Sequence, residues 1–294
     1  MFHKLYSQEF KLEQDLTIKD LFSIISKVRK NKFLSLSLTV DEWIFILESL
    51  SKINSIIESI SKKIIAFSII FLFVFCYACW VNTNQESEAA CYVASISFIC
   101  CVLGLWLAFF YFKSFYDNDV LERFILPLLK LLKLDVDLTK DVNLSFDLNK
   151  VDSFVNQMGR SNCVSDQTVI YNYRQSILDL NFIFCDGCKF KLSIVDFCKK
   201  RSTKKRNLRN TRDKIKVKYK VKRMISLRVK LNKKNYEYRE DIDSADGYHF
   251  EYDKQKSTAF CRVIKDEINY MQAPAISDIT LLMSKFYLGL SENK

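Results

Sequence analysis

The chain has 294 residues, of which 49% are hydrophobic and 27% are charged, and its formal net charge is +11. This composition is typical of a folded chain with room for one or two soluble domains, and it excludes a largely disordered protein. The two histidines leave little material for histidine-based catalysis or for a histidine-rich metal site.

Two helices and a short strand are predicted before the most apolar part of the chain. Residues 16–30 favour a helix, and the alternation at residues 34–38 favours a strand. Thr39 and Glu42 form a capping box, and the helix that follows is expected to run from about 40 to 81, since no Gly or Pro interrupts it. Its heptad stripe predicts a stalk that either packs on its own domain or self-associates. The stripe consists of Trp43, Ile46, Leu50, Ile53, Ile57, Ile60 and Ile64.

Two runs without a charged residue, Ile64–Val81 and Ala89–Phe112, are separated by the short polar link 82–88. A bilayer core is crossed by about 20 helical residues, and both runs come close to that length or exceed it. The sequence therefore predicts a transmembrane helical hairpin. The alternative is a buried helical hairpin in a soluble protein, but such helices usually carry a polar face.

The charges that flank these runs predict their orientation. Lys62 and Lys63 precede the first run and Lys113 follows the second, whereas the link holds Glu86 and Glu88 and no basic residue. The positive-inside rule then places both termini in the cytoplasm. Because the first residues are polar, no cleavable signal peptide is expected.

The second run also carries small residues at alternating steps of four and three. In lipid, helices associate through close packing along such seams, so the partner is either the first run of the same chain or another copy of the protein. Neither run contains an ionisable side chain of the kind that an ion-coupled transporter needs. The seam consists of Ala90, Ala94, Ser97, Cys101, Gly104 and Ala108.

The remainder of the chain combines an amphipathic helix with long alternating segments. Residues 120–134 favour a helix near the bilayer surface, with a kink at Pro127. Asp186–Gly187 marks a β-hairpin. A three-residue loop there would pair Phe182 with Phe190, which aligns the apolar faces of both strands and places Gly187 in a left-handed conformation. A last helix is expected at residues 277–290.

A basic cluster lies between Lys199 and Arg223, with fourteen Lys or Arg and a single acid, Asp213. Residues 199–213 are expected to form a connection, and the second half of the cluster then alternates lysines with apolar residues, so one strand face should pack on a core and the other should present a row of lysines. Alternate residues of a strand lie roughly 6.6 Å apart, which suits successive phosphates of a single-stranded nucleic acid. The candidate anion-binding residues are Arg201, Lys204, Lys205, Arg206, Arg209, Arg212, Lys214, Lys216, Lys218, Lys220, Lys222 and Arg223.

Several partners could neutralise this cluster. Nucleic acid or a polyanionic nucleotide is one, an acidic protein is another, and the anionic leaflet of the membrane is a third. The acidic segment Glu237–Asp253 of the same chain could also offset part of the charge.

No motif predicts an enzyme, a cofactor or a metal site. Cys185 and Cys188 form a CxxC, but a zinc site needs two further ligands and no second CxxC is present outside the apolar runs. The acids from Asp241 to Asp246 resemble a calcium loop in part, with Gly247 one position late. Gly-rich phosphate loops, nucleophile elbows and HExxH are absent from the sequence.

These elements predict a membrane α+β protein in four parts. Cytosolic helices and a stalk (1–62) lead into the hairpin (63–112), a connecting helix (113–140) and a basic domain (141–294) built on an antiparallel sheet or small β-barrel. The expected function is that of an effector or receptor that binds a nucleic-acid-like polyanion or a ribonucleoprotein and couples it to the membrane. The alternative is an anchor or assembly subunit that docks an acidic protein or anionic lipid.

In its layout alone, this arrangement resembles the two-span effectors of bacterial anti-phage systems. Some of those effectors answer cyclic nucleotides through a small β-barrel, and others belong to retrons. The resemblance implies a membrane effector that acts by clustering. It covers no sequence motif, so it assigns no site residue.

Overall fold

The computed structural model describes residues 18–85, 88–113, 120–163, 168–205, 214–232, 236–238, 248–268, 273–288 and 290–292. The chain divides into two compact units, one formed by residues 1–47 and 119–294 and the other by residues 48–118. The first unit contains an antiparallel β-sheet with helices, and the described residues of the second unit are helical.

The described helices begin with α1 (Ile18–Asn31), α2 (Val40–Gln85) and α3 (Glu88–Lys113). A π-helical turn at Leu121–Ile125 continues into α4 (Leu126–Leu132), and α5 (Ile276–Leu288) lies near the end of the chain. The described strands are β1 (Phe33–Leu38), β2 (Val142–Asp147), β3 (Gln157–Cys163), β4 (Thr168–Ile183), β5 (Lys189–Lys205), β6 (Lys214–Lys230), β7 (Tyr236–Tyr238), β8 (Tyr248–Asp253), β9 (Thr258–Ile268) and β10 (Leu290–Glu292).

The main sheet is antiparallel and runs in the order β1-β2-β4-β5-β6-β9-β8, with β3 paired to one half of β4. A separate two-stranded sheet pairs β7 with β10. Strands β4, β5 and β6 have 16, 17 and 17 residues, so they are far longer than their neighbours. The three long strands therefore extend beyond the part of the sheet that β1, β2, β8 and β9 share with them.

One face of the main sheet is covered by helices and forms the core. Trp43, at the start of α2, donates its indole N–H to the Val142 carbonyl at 3.0 Å and packs edge-on against Phe146. On α5, Phe286 lies edge-on to Phe190 of β5. These contacts bury one face of the sheet. Every second residue along each strand points to this face, because side chains in a strand alternate between the two faces. The other face carries mainly polar side chains.

The hairpin between β4 and β5 has the register predicted from its apolar pattern. Phe182 pairs with Phe190, Leu180 with Leu192 and Leu178 with Ile194. Gly187 adopts a φ of +83°, and its N–H donates to the Phe184 carbonyl at 2.9 Å. The prediction of a three-residue loop with a left-handed glycine is therefore confirmed.

Several predicted bounds need correction. The first apolar helix continues past Val81 to Gln85, so the link to α3 is shorter than expected. Helix α5 ends at Leu288, two residues before its predicted end, because β10 begins at Leu290. Near Pro127 the helix widens into a π turn, consistent with a residue that cannot donate a backbone N–H to the preceding turn.

The helical unit is apolar on its surface. The segment Val40–Val81 of α2 is long and apolar enough to cross a membrane by length and composition, and Tyr92–Leu107 of α3 is a shorter apolar helix. Large side chains lie exposed along both helices, including Phe73 at 71% and Tyr92 at 72%. Contiguous exposed apolar surface of this extent is unusual for a protein in water.

The small-residue seam of α3 lies against α2. Ala94, Ser97 and Cys101 are buried. A Cβ added at Gly104 would come within 2.2 Å of the Ser68 hydroxyl oxygen. Since Phe98 also contacts Phe75, with ring centroids 5.5 Å apart, the two helices run antiparallel along this seam. Ala90 and Ala108 lie within the described helix α3, but their side chains are outside the described part of the structure.

The heptad stripe of α2 is buried in an altered register. Leu50 and Ile57 are buried as predicted, but Asn54 and Ser61 are each only 1% exposed. Ile53 and Ile60 are half-buried instead. The predicted stripe is therefore correct as far as Leu50 and again at Ile57, but wrong at Ile53, Ile60 and Ile64, since the buried line there follows polar residues that the apolar pattern did not include.

Candidate polyanion-binding surface

The candidate surface lies on the ends of β5 and β6 that extend beyond the core. We call residues 199–205 and 214–222 the distal ribbon; there, Lys205 pairs with Lys214 and Lys199 with Lys220 without any irregularity. Strand β9 reaches only as far as Val221 along β6, so it does not pair with the distal ribbon beyond that residue. The sequence placed residues 199–213 in a connection, whereas β5 continues as a strand to Lys205.

The lysines of β6 share one face of this ribbon with cations of β5. Lys220 lies opposite Lys199, and Lys218 lies opposite Arg201. We call this the basic face; its described side chains on β6 are all exposed. Directly opposed like charges destabilise a sheet, so the fold sustains this repulsion across two strands. The basic face consists of Lys199, Arg201, Lys205, Lys214, Lys216, Lys218, Lys220 and Lys222.

The opposite face of the ribbon is held by a small second cluster. Tyr173, Cys198 and Val221 are buried there together with Val151. This cluster packs under the end of the distal ribbon that is nearer to the core. The basic face therefore lies on strands that are partly supported by packed side chains.

Three hydrogen-bonded polar side chains lie next to this cluster. Lys200 donates to Asp152 at 2.9 Å, and the Tyr219 hydroxyl donates to the same carboxylate oxygen at 3.1 Å. The hydrogen bond to Asp152 raises the pKa of Lys200 above its usual value, so this lysine stays charged. Its charge is used within the fold and does not add to the basic face.

The apolar residues on the other face of the distal ribbon are less buried than the sequence predicts. Ile215 is 68% exposed and Val217 is 41% exposed, although both share the face of buried Val221. The alternation correctly separates the two faces, but the core does not extend under the end of the strand. The prediction that this half of β6 packs on a core is therefore wrong.

Two acids pair with predicted site residues. Lys222 forms an ion pair with Asp266 at 2.8 Å. Arg223 is 4% exposed and donates to both carboxylate oxygens of Asp196, so it lies on the opposite face of the strand and is not part of the basic face. Among the described residues, Lys214, Lys216 and Lys218 have no carboxylate within ion-pair distance.

The remaining predicted residues fall into two groups. Lys204 pairs with Ile215 and so shares the face opposite to the lysine row. Arg206, Arg209 and Arg212 lie outside the described residues, as does most of the acidic segment that was expected to offset the cluster. Lys199 was missed because residues 199–205 were not interpreted as strand; the alternation of Lys199, Arg201 and Thr203 could have indicated it.

The cysteines of the CxxC lie in different environments. Cys185 is exposed at the hairpin loop, whereas Cys188 is buried and its sulfur accepts from the Asn232 N–H at 3.5 Å. Burial raises the pKa of the Cys188 thiol to about 11, which keeps it protonated. Within the described part of the chain, no three His, Cys, Asp or Glu side chains converge to hold a metal ion. The calcium-like segment 241–247 lies outside that part.

Comparison with protein-family models, with characterised proteins and with solved structures yields no match for this chain, so its function is argued from its own residues.

Proposed function

We propose that the protein is a non-catalytic membrane protein whose basic face binds a nucleic-acid-like polyanion. The observation that carries this proposal is the row of Lys214, Lys216 and Lys218 on one face of β6, none of which has a carboxylate within ion-pair distance among the described residues. A solvated surface has no need of such a row of like charges, whose mutual repulsion costs stability. An anionic partner with closely spaced charges would offset that cost.

The spacing of the basic face suits a chain of phosphates. Lysines that alternate along β6 repeat every roughly 6.6 Å, and the opposing row on β5 lies about 5 Å away. An extended single strand could follow these rows and displace its counterions, which is the main source of sequence-independent affinity. Arg201 adds a forked donor suited to phosphate oxygens. Tyr171 and Tyr219 lie on the other face, so base stacking on them is not part of this proposal.

The helical unit would hold this surface at a membrane. Two antiparallel apolar helices, α2 and α3, would form the two spans, with both termini in the cytoplasm. The exposed side chains of Phe73 and Tyr92 support insertion into lipid. The flanking lysines and the acidic link support the orientation. Binding of the polyanion would then recruit it to the membrane, or bring several copies of the protein together there as an effector.

A second candidate is docking of the ribbon on the anionic leaflet. The exposed Ile215 and Val217 at the end of β6, next to lysines, favour it, because a combination of apolar and basic residues suits a lipid surface. In that case the protein would be an anchor or an assembly subunit, not a nucleic-acid receptor.

Purification of the full chain in mild detergent separates the two candidates. If the proposal holds, the protein retains nucleic acid at low salt, and its absorbance ratio at 260 and 280 nm falls after nuclease treatment. If lipid is the partner, the ratio is that of protein alone, and retained acidic phospholipid is found by mass spectrometry.

A further inference from the structure

A second basic site lies on the same sheet face but at the other end of the long strands. A groove of 390 Å³ is formed where the β4–β5 hairpin meets the end of β6, within the size range of small-molecule sites. Four cations line it, together with one carboxylate from Asp141. The four cations are Lys189, Lys191, Arg228 and Lys230.

The register brings these cations into a compact arrangement. Lys189 lies opposite Lys230, and Lys191 lies opposite Arg228. Cross-strand neighbours are about 5 Å apart and alternate residues are roughly 6.6 Å apart, so the four positions frame a small rectangle. Asn181 lies opposite Lys191 on the next strand and adds an amide donor at the rim of the groove.

Internal pairing does not account for the charge of this groove. In the part of the chain that the structure describes, the side chains of the three lysines form no ion pair and no hydrogen bond. Arg228 lies over the Phe260 ring, with its guanidinium carbon 5.8 Å from the centroid, so the ring holds it in place. Asp141 accepts a hydrogen bond from the Ser37 hydroxyl at 3.2 Å. Four cations against one acid leave the groove strongly positive.

The groove is electrostatically separate from the basic face. Lys222 and Arg228 are six residues apart on β6, which corresponds to roughly 20 Å of strand. Between them, the positions of this face on β5 and β6 hold uncharged residues, among them Ser193 and Ser226, while Asp179 and Arg262 lie opposite these serines on the neighbouring strands and are of opposite charge. The separation exceeds the Debye length of about 8 Å at physiological salt, so a charge bound at one site has little effect at the other.

We propose that this groove, framed by Lys189, Lys191, Arg228 and Lys230, binds a compact run of two or more phosphates, such as the phosphate chain of a nucleoside triphosphate or an inorganic polyphosphate. The rectangle of cations matches a short, densely charged ligand better than an extended strand. Arg228 can donate two parallel hydrogen bonds to one phosphate, while the lysines act as point charges around it. The inference does not depend on nucleic-acid binding by the basic face.

Titration calorimetry of the full chain in detergent tests this site, with tripolyphosphate and ATP as the probes. Lys191→Gln with Arg228→Gln should weaken binding of both probes at least tenfold. Lys27→Gln with Lys30→Gln, the matched charge change at exposed positions of α1 outside both basic sites, should leave the affinity within about twofold. Asp141→Asn should strengthen binding, and misfolding could not produce such a gain. Equal affinity for the two probes would assign recognition to the phosphate chain, whereas tighter ATP binding would add the nucleoside; both support the site.

Three results would overturn the proposal. The first is that the wild-type chain binds neither probe at low salt. The second is that the variant with Lys191→Gln and Arg228→Gln binds the probes as tightly as the wild type. The third is that the α1 variant loses as much affinity as the groove variant, which would make binding a matter of the net charge of the chain and not of the groove. Because nucleic-acid binding is measured separately, failure here leaves the proposed function standing.

Discussion

Arg223 on β6 donates from Nε and Nη2 to the two carboxylate oxygens of Asp196 on β5, at 2.7 and 2.8 Å, with both side chains buried. The pair lies directly across the two strands. Ile194 and Ile225 of the main core lie on one side of it along the strands, and Cys198 and Val221 of the second cluster lie on the other. It therefore marks the point at which the core ends and the distal ribbon begins.

Breaking this pair should destabilise the sheet strongly. Asp196→Ala would leave a buried guanidinium without its carboxylate, at a cost of about 3–5 kcal/mol in the free energy of unfolding. Denaturant unfolding followed by near-UV circular dichroism would measure this. Replacing both partners, with Asp196→Leu and Arg223→Met, should recover most of the loss. A single variant as stable as the wild type would contradict the structural role of the pair.

The contact between Ser68 and Gly104 predicts a reciprocal pair of variants. Gly104→Ala should reduce the thermal stability of the helical unit, because the new Cβ would lie 2.2 Å from the Ser68 hydroxyl. Overpacking of this kind costs about 1–3 kcal/mol.

Ser68→Ala is the matched partner, since it removes the hydroxyl oxygen and leaves the Ser68 Cβ at an ordinary 3.4 Å. The combination of Ser68→Ala with Gly104→Ala should therefore restore most of the stability in detergent. Additive losses in the double variant would show that these two positions are not in contact.

The buried thiols should react slowly and with a steep dependence on pH. Burial raises the pKa of Cys188 and of Cys198 to about 11 and that of Cys261 to about 12. At pH 8 only about one thiol in a thousand is then a thiolate for the first two, and the thiolate is the reactive form. Because each folded pKa is raised, reactivity should increase as the pH rises towards 11.

A short pulse of iodoacetamide, followed by mass spectrometry, measures this order. The exposed Cys185 should be modified first at pH 8. Modification of Cys188 at the rate of Cys185 would contradict its burial, and it would reopen the interpretation of the CxxC as a metal site.

The proposed topology is tested with reporters. The lysines at 62, 63 and 113 and the acids of the link predict that residues 1–62 and 113–294 lie on the cytoplasmic side. A fluorescent or enzymatic reporter fused after Lys294 should be active in the cytoplasm, and one inserted at the 86–87 link should be active only outside it. Activity of the first reporter only outside the cytoplasm would disprove the orientation.

The sequence was informative where a pattern determines one local geometry. Aligning the apolar faces of β4 and β5 predicted the pairing of Phe182 with Phe190, and Gly187 confirmed the loop. The small residues of α3 predicted a packing seam, and Gly104 against Ser68 identifies the helix that faces it.

Predictions were wrong where burial depends on what covers a face. The alternation in β6 predicts which side Ile215 and Arg223 occupy, but not that the core stops between them. Asn54 and Ser61 lie on the buried side of α2. A heptad pattern read from apolar residues alone does not include such polar positions. The groove at Lys189 and Lys230 was missed for a similar reason, since its four cations are far apart in sequence and are brought together only by strand pairing.

The central claim is that the basic face contacts phosphates, and the salt dependence of binding tests it most directly. Binding of a single-stranded oligonucleotide to the full chain is measured at several salt concentrations for the wild type and for Lys216→Gln with Lys218→Gln. The control carries the same charge change at Lys254 and Lys256, which lie at the β8–β9 turn. Two lost phosphate contacts should flatten the slope of log affinity against log salt by about 1.4, at roughly 0.7 per contact. An unchanged slope in the basic-face variant, or an equal change in the control, would contradict the account.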